Sequence, residues 1–130
     1  MPQNAQTGAA ADKWGRETAR EIAKKIGAIS ISESSNEFEL AGQIVAIHCA
    51  RQGNDQIGVT YETLKRIDFV IAAFEVDNVT REFQLLLITR MLYGRIPRHS
   101  KRKGKVALAS KRAIKRLAAT QQTIHLSTVK

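Results

Sequence analysis

The spacing of apolar residues changes at Gly27, and this change predicts a helix followed by strands. From Asp12, a residue type suited to capping a helix, to Ile26 the apolar positions recur every three or four residues. Gly27 ends that helix as a C-cap glycine. Beyond it the pattern alternates, which is typical of strands. Strands are predicted over residues 28–32, 37–40 and 43–50, with Ala41 and Gly42 as a tight turn between the last two.

The middle of the chain adds a helix and two strands. Residues 51–58 are polar and predict a loop, and Thr60 offers a hydroxyl to cap a short helix over residues 61–67. The segment 68–75 is mostly apolar and β-branched or aromatic, as expected of a strand buried on both faces. Another strand is predicted over residues 82–93, continuing into a turn or a helix.

The last third of the chain combines a basic linker with an amphipathic helix. Residues 94–104 contain Pro97 and a run of cations, which is typical of a linker. Apolar residues spaced three or four apart predict a helix over residues 105–119 with cations flanking its apolar stripe. The final residues, TIHLSTVK, fit either a strand or a loose tail.

This order of elements predicts one α/β domain with a mixed sheet of about five strands flanked by helices. The strands over 37–40 and 43–50 are joined too closely to be parallel, whereas a helix separates the strand over 43–50 from the next one, so those two are expected to be parallel. We expect a disordered N-terminus over residues 1–11, the core over 12–93 and a basic C-terminal extension over 94–130.

Charge is segregated along the chain. Residues 1–82 hold 9 Lys/Arg and 12 Asp/Glu, whereas residues 83–130 hold 12 Lys/Arg and no acidic residue, which together give the net charge of +9. Because like charges repel, such a block favours a polyanionic partner, and we predict nucleic acid, with DNA favoured. The alternative is a solvated basic tail without a specific role. The predicted contact residues are Arg95, Arg98, Lys101, Arg102, Lys103, Lys105, Lys111, Arg112, Lys115 and Arg116.

Other sequence features narrow the class of protein. The longest apolar stretches are far too short to span a bilayer, and the first residues lack the pattern of a secretory signal. The single cysteine, Cys49, cannot form an internal disulfide. We therefore expect a cytoplasmic protein without a membrane partner. Motifs for phosphate loops, dinucleotide binding and paired-cysteine zinc sites do not occur in the sequence.

The predicted order, a helix, a three-stranded meander, a crossover helix and a further strand, resembles the core of the PD-(D/E)xK, or restriction-endonuclease-like, nucleases. That family includes archaeal Holliday-junction resolvases and many restriction enzymes. The matching text is WGRETAREIAKKIGA followed by SISESSNEFELAGQIVAIHCAR, within residues 12–75. The resemblance implies a metal-dependent endonuclease that uses Mg²⁺ or Mn²⁺ and pairs into a homodimer.

The resemblance also implies where the site lies. The family places an acid on the second strand, and an acid and a lysine two residues apart on the third. If the two strands are joined by a two-residue turn, Glu37 faces Ala46, and His48 and Glu39 project from the same face. By position, Glu37 is the first acid, His48 stands in place of the lysine, and Ala46 replaces the second acid.

Because Ala46 offers no oxygen ligand, a divalent cation at this site requires another acid. Glu17 on the first helix, as in some family members, and Glu39 are the candidates, and His48 is the candidate general base or phosphate donor. Each residue also has a plainer interpretation: Glu37 and Glu39 as the solvated side of an edge strand, His48 as an interior histidine, and Glu17 as part of a solvated helix face. Two hypotheses follow, a metal-dependent endonuclease and a DNA- or RNA-binding or assembly module without catalysis.

Overall fold

The protein is a mixed-sheet α/β fold, as the sequence predicts. The computed structural model describes residues 5–32, 35–96 and 106–126. Within them the elements are α1 (Ala5–Ile26), β1 (Ile29–Ser30), β2 (Glu37–Leu40), β3 (Gln43–Ala50), β4 (Gln56–Thr60), α2 (Tyr61–Leu64), β5 (Phe69–Asp77), β6 (Glu82–Thr89), α3 (Arg90–Gly94), β7 (Val106–Ser110), α4 (Lys111–Leu117) and β8 (Thr120–His125). None of the helices in these ranges is long and apolar enough to cross a membrane.

The strands form two sheets. A six-stranded sheet has the order β1-β2-β3-β5-β6-β8, and β4 pairs with β7 in a separate two-stranded sheet. Only β3 and β5 are parallel among the paired neighbours, and the connection between them passes through β4 and α2. The predicted parallel pairing is thus confirmed, with six strands in the main sheet where about five were expected.

The hairpin between β2 and β3 has the predicted register. Ala41 and Gly42 both have positive φ, 53° and 81°, as in the two-residue turns whose twist matches that of the adjoining strands. Glu37 consequently lies opposite Ala46, and Glu39 opposite Ile44. A shift of one residue would exchange the two faces of the sheet, so this turn decides which side chains share a face.

The main sheet is buried on both faces. On the α1 face, the helix packs through Ala19, Ile22 and Ala23 against alternate residues of the central strands, among them Val45, Ile47, Ile71 and Phe83. On the opposite face, which we call the second-sheet face, β4, β7, α3 and α4 cover the other set of residues, among them Ala46, Ala50, Val70, Ala72 and Leu86. Any side chain on the central strands therefore faces one of two packed layers.

Tyr93 fixes the second sheet against α3. Its side chain is fully buried, and its hydroxyl donates a hydrogen bond to the carbonyl oxygen of Ala107 on β7 at 2.8 Å. Burial raises the pKa of the Tyr93 hydroxyl above its ordinary value, against the opposing effect of a backbone hydrogen bond from Val59 on β4. One side chain thus connects α3 to both strands of the second sheet.

The ends of the chain differ from the sequence predictions. The predicted disorder over residues 1–11 is wrong for Ala5 to Ala11, which are helical, and residues 1–4 lie outside the described ranges. Alanine is the best helix former, which explains why the helix starts well before Asp12. The predicted strand over 28–32 is reduced to the two residues of β1.

The predicted helix over 105–119 is wrong for residues 106–110, and the predicted loop over 51–58 is wrong for residues 56–58. Residues 56–60 and 106–110 instead pair as β4 and β7. The helix starts only at Lys111, because the Ser110 hydroxyl caps it by accepting the Ala113 backbone N–H at 3.1 Å. The predicted strand over 82–93 similarly ends at Thr89, whose hydroxyl caps α3 by accepting the Leu92 N–H.

The described part of the basic C-terminal third belongs to the core, where an extension was predicted. Ile114 of α4 is fully buried in the second-sheet cluster. Ile124 of β8 and Leu126 are buried in the α1-face cluster. Removing residues 95–130 would therefore take a strand from each sheet, so the role of this segment must be tested with point substitutions.

Candidate functional site

The structure brings Glu37, Glu39, Ala46 and His48 onto one face of the sheet, as the sequence predicts. Glu37 and Ala46 are paired across β2 and β3, and His48 follows Ala46 two residues further along β3. All four point to the second-sheet face, and Ala46 lies in its buried cluster. Glu39, nearer the hairpin turn, is exposed to solvent.

Glu37 is held by Arg66, a residue that the sequence analysis did not select. Arg66 follows α2, and its Nε and Nη2 donate to the two carboxylate oxygens of Glu37 at 3.3 and 2.5 Å. Glu37 is only 9% exposed, and its hydrogen bonds raise the pKa of the Arg66 guanidinium. This two-point contact neutralises the carboxylate and occupies both of its oxygens.

His48 is a neutral imidazole rather than a substitute for a cationic lysine. Burial lowers its pKa to about 4, against the smaller opposing effect of the negative charge on Glu37. Its neighbours on the same face of β3, Ala46 and Ala50, are both buried in the second-sheet cluster. At neutral pH, His48 therefore carries no charge with which to stabilise a phosphate.

Glu17 lies on the other side of the sheet. It is exposed on α1, and that helix packs on the α1 face through Ala19 and Ile22. The sheet thus separates Glu17 from Glu37 and His48, and this geometry does not support Glu17 as a third acid of the site.

The donor set does not fit Mg²⁺ or Mn²⁺. These hard cations require several anionic or carbonyl oxygens, and the Glu37 oxygens are bound by a guanidinium while Ala46 is fully buried and offers none. Across the described part of the chain, no three His, Cys, Asp or Glu side chains gather closely enough to hold a metal ion. We assign no metal-dependent step to these residues.

The described cations of the basic third lie on the second-sheet side of the molecule. In α4, Arg112, Lys115 and Arg116 are exposed, and the Lys111 ammonium lies 5.5 Å from the centre of the Phe74 ring. Arg95, the exposed residue that follows α3, directs its guanidinium to the sulfur of Met91, and α3 contacts α4. The other predicted contact residues lie outside the described ranges: Arg98, Lys101, Arg102, Lys103 and Lys105.

Arg90 is a further exposed cation that the sequence analysis missed. It is the first residue of α3, and its backbone N–H donates to the carbonyl oxygen of Asp68 at 3.0 Å. Its position at the end of a predicted strand gave no signal of a surface role. Arg66 was missed for a different reason, since its partner Glu37 is 29 residues away in sequence.

Comparison with known proteins does not place the chain in a family. Neither the models of known protein families nor the curated proteins yield a match. Function must be inferred from the site, since a fold alone does not determine an activity.

The neutral state of His48 predicts a fall in stability with acid. An imidazole in the unfolded chain titrates near pH 6.5, whereas the folded His48 has a pKa of about 4, so the unfolded state binds more protons between these values. The contribution of His48 to the free energy of unfolding is therefore fully present above pH 6.5. It falls as the pH drops towards 4, by at most about 3 kcal/mol.

The measurement is urea unfolding at a series of pH values. His48→Gln should flatten the fall between pH 6.5 and 4, whereas His125→Gln, which removes an exposed histidine, should retain it. Equal pH dependence in the wild type and His48→Gln would contradict an imidazole that is neutral in the folded state.

The Glu37–Arg66 pair predicts a specific pattern of destabilisation. Arg66→Ala leaves the carboxylate of Glu37 buried without its guanidinium, so the midpoint of thermal unfolding should fall. Lys65→Ala removes only a solvent-exposed pair with Glu62 and should change the midpoint little. Adding Glu37→Gln to Arg66→Ala should recover part of the loss, because it removes the buried charge. Equal midpoints for Arg66→Ala and Lys65→Ala would show that the pair has no structural role.

Proposed function

We propose that the protein binds nucleic acid, with DNA favoured, through a cationic surface on the second-sheet side, and that it does so without cutting. Among the described residues, the cationic surface consists of the exposed cations of α3 and α4. The observation that carries the proposal is the set of exposed cations on α4 in a segment of 48 residues that contains no carboxylate.

The cations of α4 differ from several other described cations in their ion pairing. Among the described residues, Lys65, Arg66 and Arg81 form ion pairs with glutamates and His125 contacts Glu82, whereas no cation of α4 takes part in such a pair. Cations that lie close together without forming ion pairs repel one another, and a bound external anion lowers this repulsion. Phosphates of a nucleic-acid backbone supply such anions at regular spacing, and their binding releases condensed counterions.

The α1 side of the molecule provides an internal comparison. Its lysines Lys24 and Lys25 border a surface groove of about 290 Å³ together with Glu21, which is bound by Arg81. Cations and carboxylates are therefore interspersed on this side. The electrostatic energy of binding a polyanion is less favourable there, because each phosphate meets both signs of charge.

The site around Glu37 supports binding without cutting. A nuclease that uses a divalent cation needs free carboxylate oxygens, whereas those of Glu37 are bound by Arg66. We therefore interpret the resemblance to restriction-endonuclease-like proteins as a similarity of fold that does not extend to nuclease activity. A cytoplasmic location, which the single cysteine favours, is compatible with this function.

Matched lysine and arginine pairs test the location of the binding surface. Lys115→Ala with Arg116→Ala removes two cations from the last turn of α4, and Lys24→Ala with Lys25→Ala removes two from the last turn of α1. We expect the α4 double variant to bind duplex DNA more weakly and to lower the slope of log K against log salt by about 1–2. The α1 double variant should bind like the wild type.

Fluorescence anisotropy with two unrelated duplex sequences gives these values. Similar affinities for the two sequences are expected, because phosphate contacts carry no base information. Incubation of the same duplexes with Mg²⁺, Mn²⁺ or EDTA tests the second part of the proposal, and intact DNA is expected throughout. Equal losses in the two double variants would contradict the assigned surface, and cleavage that depends on metal and is lost in Glu37→Gln would establish the nuclease alternative.

A further inference from the structure

Strand β8 is an open edge of the main sheet. It pairs with β6 along residues 120–125 and ends the strand order, so no described element pairs with its other side. Thr120, Gln121, Gln122 and Thr123 are exposed in succession. At such an edge, half of the backbone N–H and C=O groups point outward and can bind another strand.

This edge lacks the features that usually protect one. Proteins cover edges with Lys, Pro or a bulge, or keep the edge strand very short. The sequence TQQTIH contains no Lys, Pro or acidic residue, and its six residues pair with β6 in continuous register. The opposite edge, β1, is by contrast only two residues long.

From these observations we infer that β8 pairs antiparallel with β8 of a second copy of this chain when both copies are bound to one nucleic-acid duplex. The inference rests on the proposed function. The two-fold axis that relates the two strands of such a pair is perpendicular to the sheet. The second-sheet faces of both copies therefore lie on the same side. Both α4 helices then lie on the same side of one continuous sheet.

The geometry accommodates both helices. Adjacent strands lie about 4.8 Å apart, so the two β6 strands of the pair are separated by three spacings, or about 14 Å. Each α4 packs over its own β5 and β6. Two helices, each about 10 Å across, therefore fit side by side and form one cationic surface across the two-fold axis.

The pairing depends on nucleic acid for two reasons. A strand pair of six residues buries much less than the roughly 1,200 Å² that a stable dimer needs, so it does not hold two free copies together. The two α4 helices also bring like charges near each other, and phosphates bound between them remove that repulsion. The free chain is thus a monomer, and the duplex assembles the pair.

The test compares two glutamine-to-lysine variants of the full chain on a labelled duplex of about 20 base pairs, roughly two helical turns. Gln122→Lys places a charge on the α1 face of the edge strand β8, beside the strand of the second copy, whereas Gln43→Lys places the same charge in an exposed position on β3. Both variants add a cation, so neither weakens binding of a single copy through charge. Sedimentation velocity gives the number of copies bound, and thermal unfolding checks that each variant folds, with Thr123→Lys as the substitute if Gln122→Lys does not.

The wild type and Gln43→Lys should bind as two copies cooperatively, with slower hydrogen exchange of the amides over residues 120–125 in the complex. In Gln122→Lys the first copy should bind normally and the second about tenfold more weakly. The pairing through β8 would be overturned if Gln122→Lys bound as two copies cooperatively. It would also be overturned if Gln43→Lys weakened binding of the second copy as much as Gln122→Lys does. A wild type that binds as one copy only would also overturn it while leaving the proposed function intact, and a wild type that does not bind the duplex would overturn both.

Discussion

Burial of the central strands on both faces is the constraint on which the rest of the structure depends. Ala46, Val70 and Ala72 are completely buried on the second-sheet face, beneath β4 and β7. A charged side chain in such a position carries a large desolvation cost unless it is paired. Small apolar residues and a neutral imidazole at His48 meet this constraint, and a set of carboxylates around a cation does not. Glu37 lies at the margin of the same layer, where the guanidinium of Arg66 donates to both of its carboxylate oxygens.

The same packing of layers determines which charged side chains are exposed to solvent. The layer that covers the second-sheet face is anchored by buried side chains, among them Tyr93 and Ile114, so the outer sides of α3 and α4 face solvent. The exposed cations that the structure describes in the chain's last third lie on α4 and at the two ends of α3. The α1 side carries mixed charge, with Glu21 bound to Arg81. Ion pairs therefore hold charge on the α1 side, whereas the cations of α4 take part in no ion pair among the described residues, and we connect function with these cations.

Local rules account for what the sequence predicted well and for what it missed. The register of β2 and β3 followed from the turn at Ala41 and Gly42, since a two-residue turn leaves only one way to pair the strands. The pairing of β4 with β7 joins segments about 50 residues apart, and neither segment has a strong strand pattern by itself. The residues before Lys111 matched a helical spacing by coincidence, and the cap at Ser110 was the local signal for the true start.

For the site, the sequence predicted which residues share a face of the sheet but not what surrounds them. Alternation along two neighbouring strands was enough to place Glu37, Glu39 and His48 on one face. Tertiary packing of distant segments determines what covers that face, so the lowered pKa of the half-buried His48 had no signal in the sequence. The partner of Glu37 was equally hidden, because a cation 29 residues away meets it only after the crossover between β3 and β5 has formed.

The measurement that tests the central claim most directly is a titration of the isotope-labelled chain with a short DNA duplex, followed by amide chemical shifts. The account predicts that shifts change along α3 and α4 and at the start of β7, whereas the amides of residues 16–26 in α1 stay unchanged. Changes clustered on α1, or confined to the surroundings of Glu37 and Arg66, would contradict it, because binding would then use the α1 side of the molecule or the nuclease-like site.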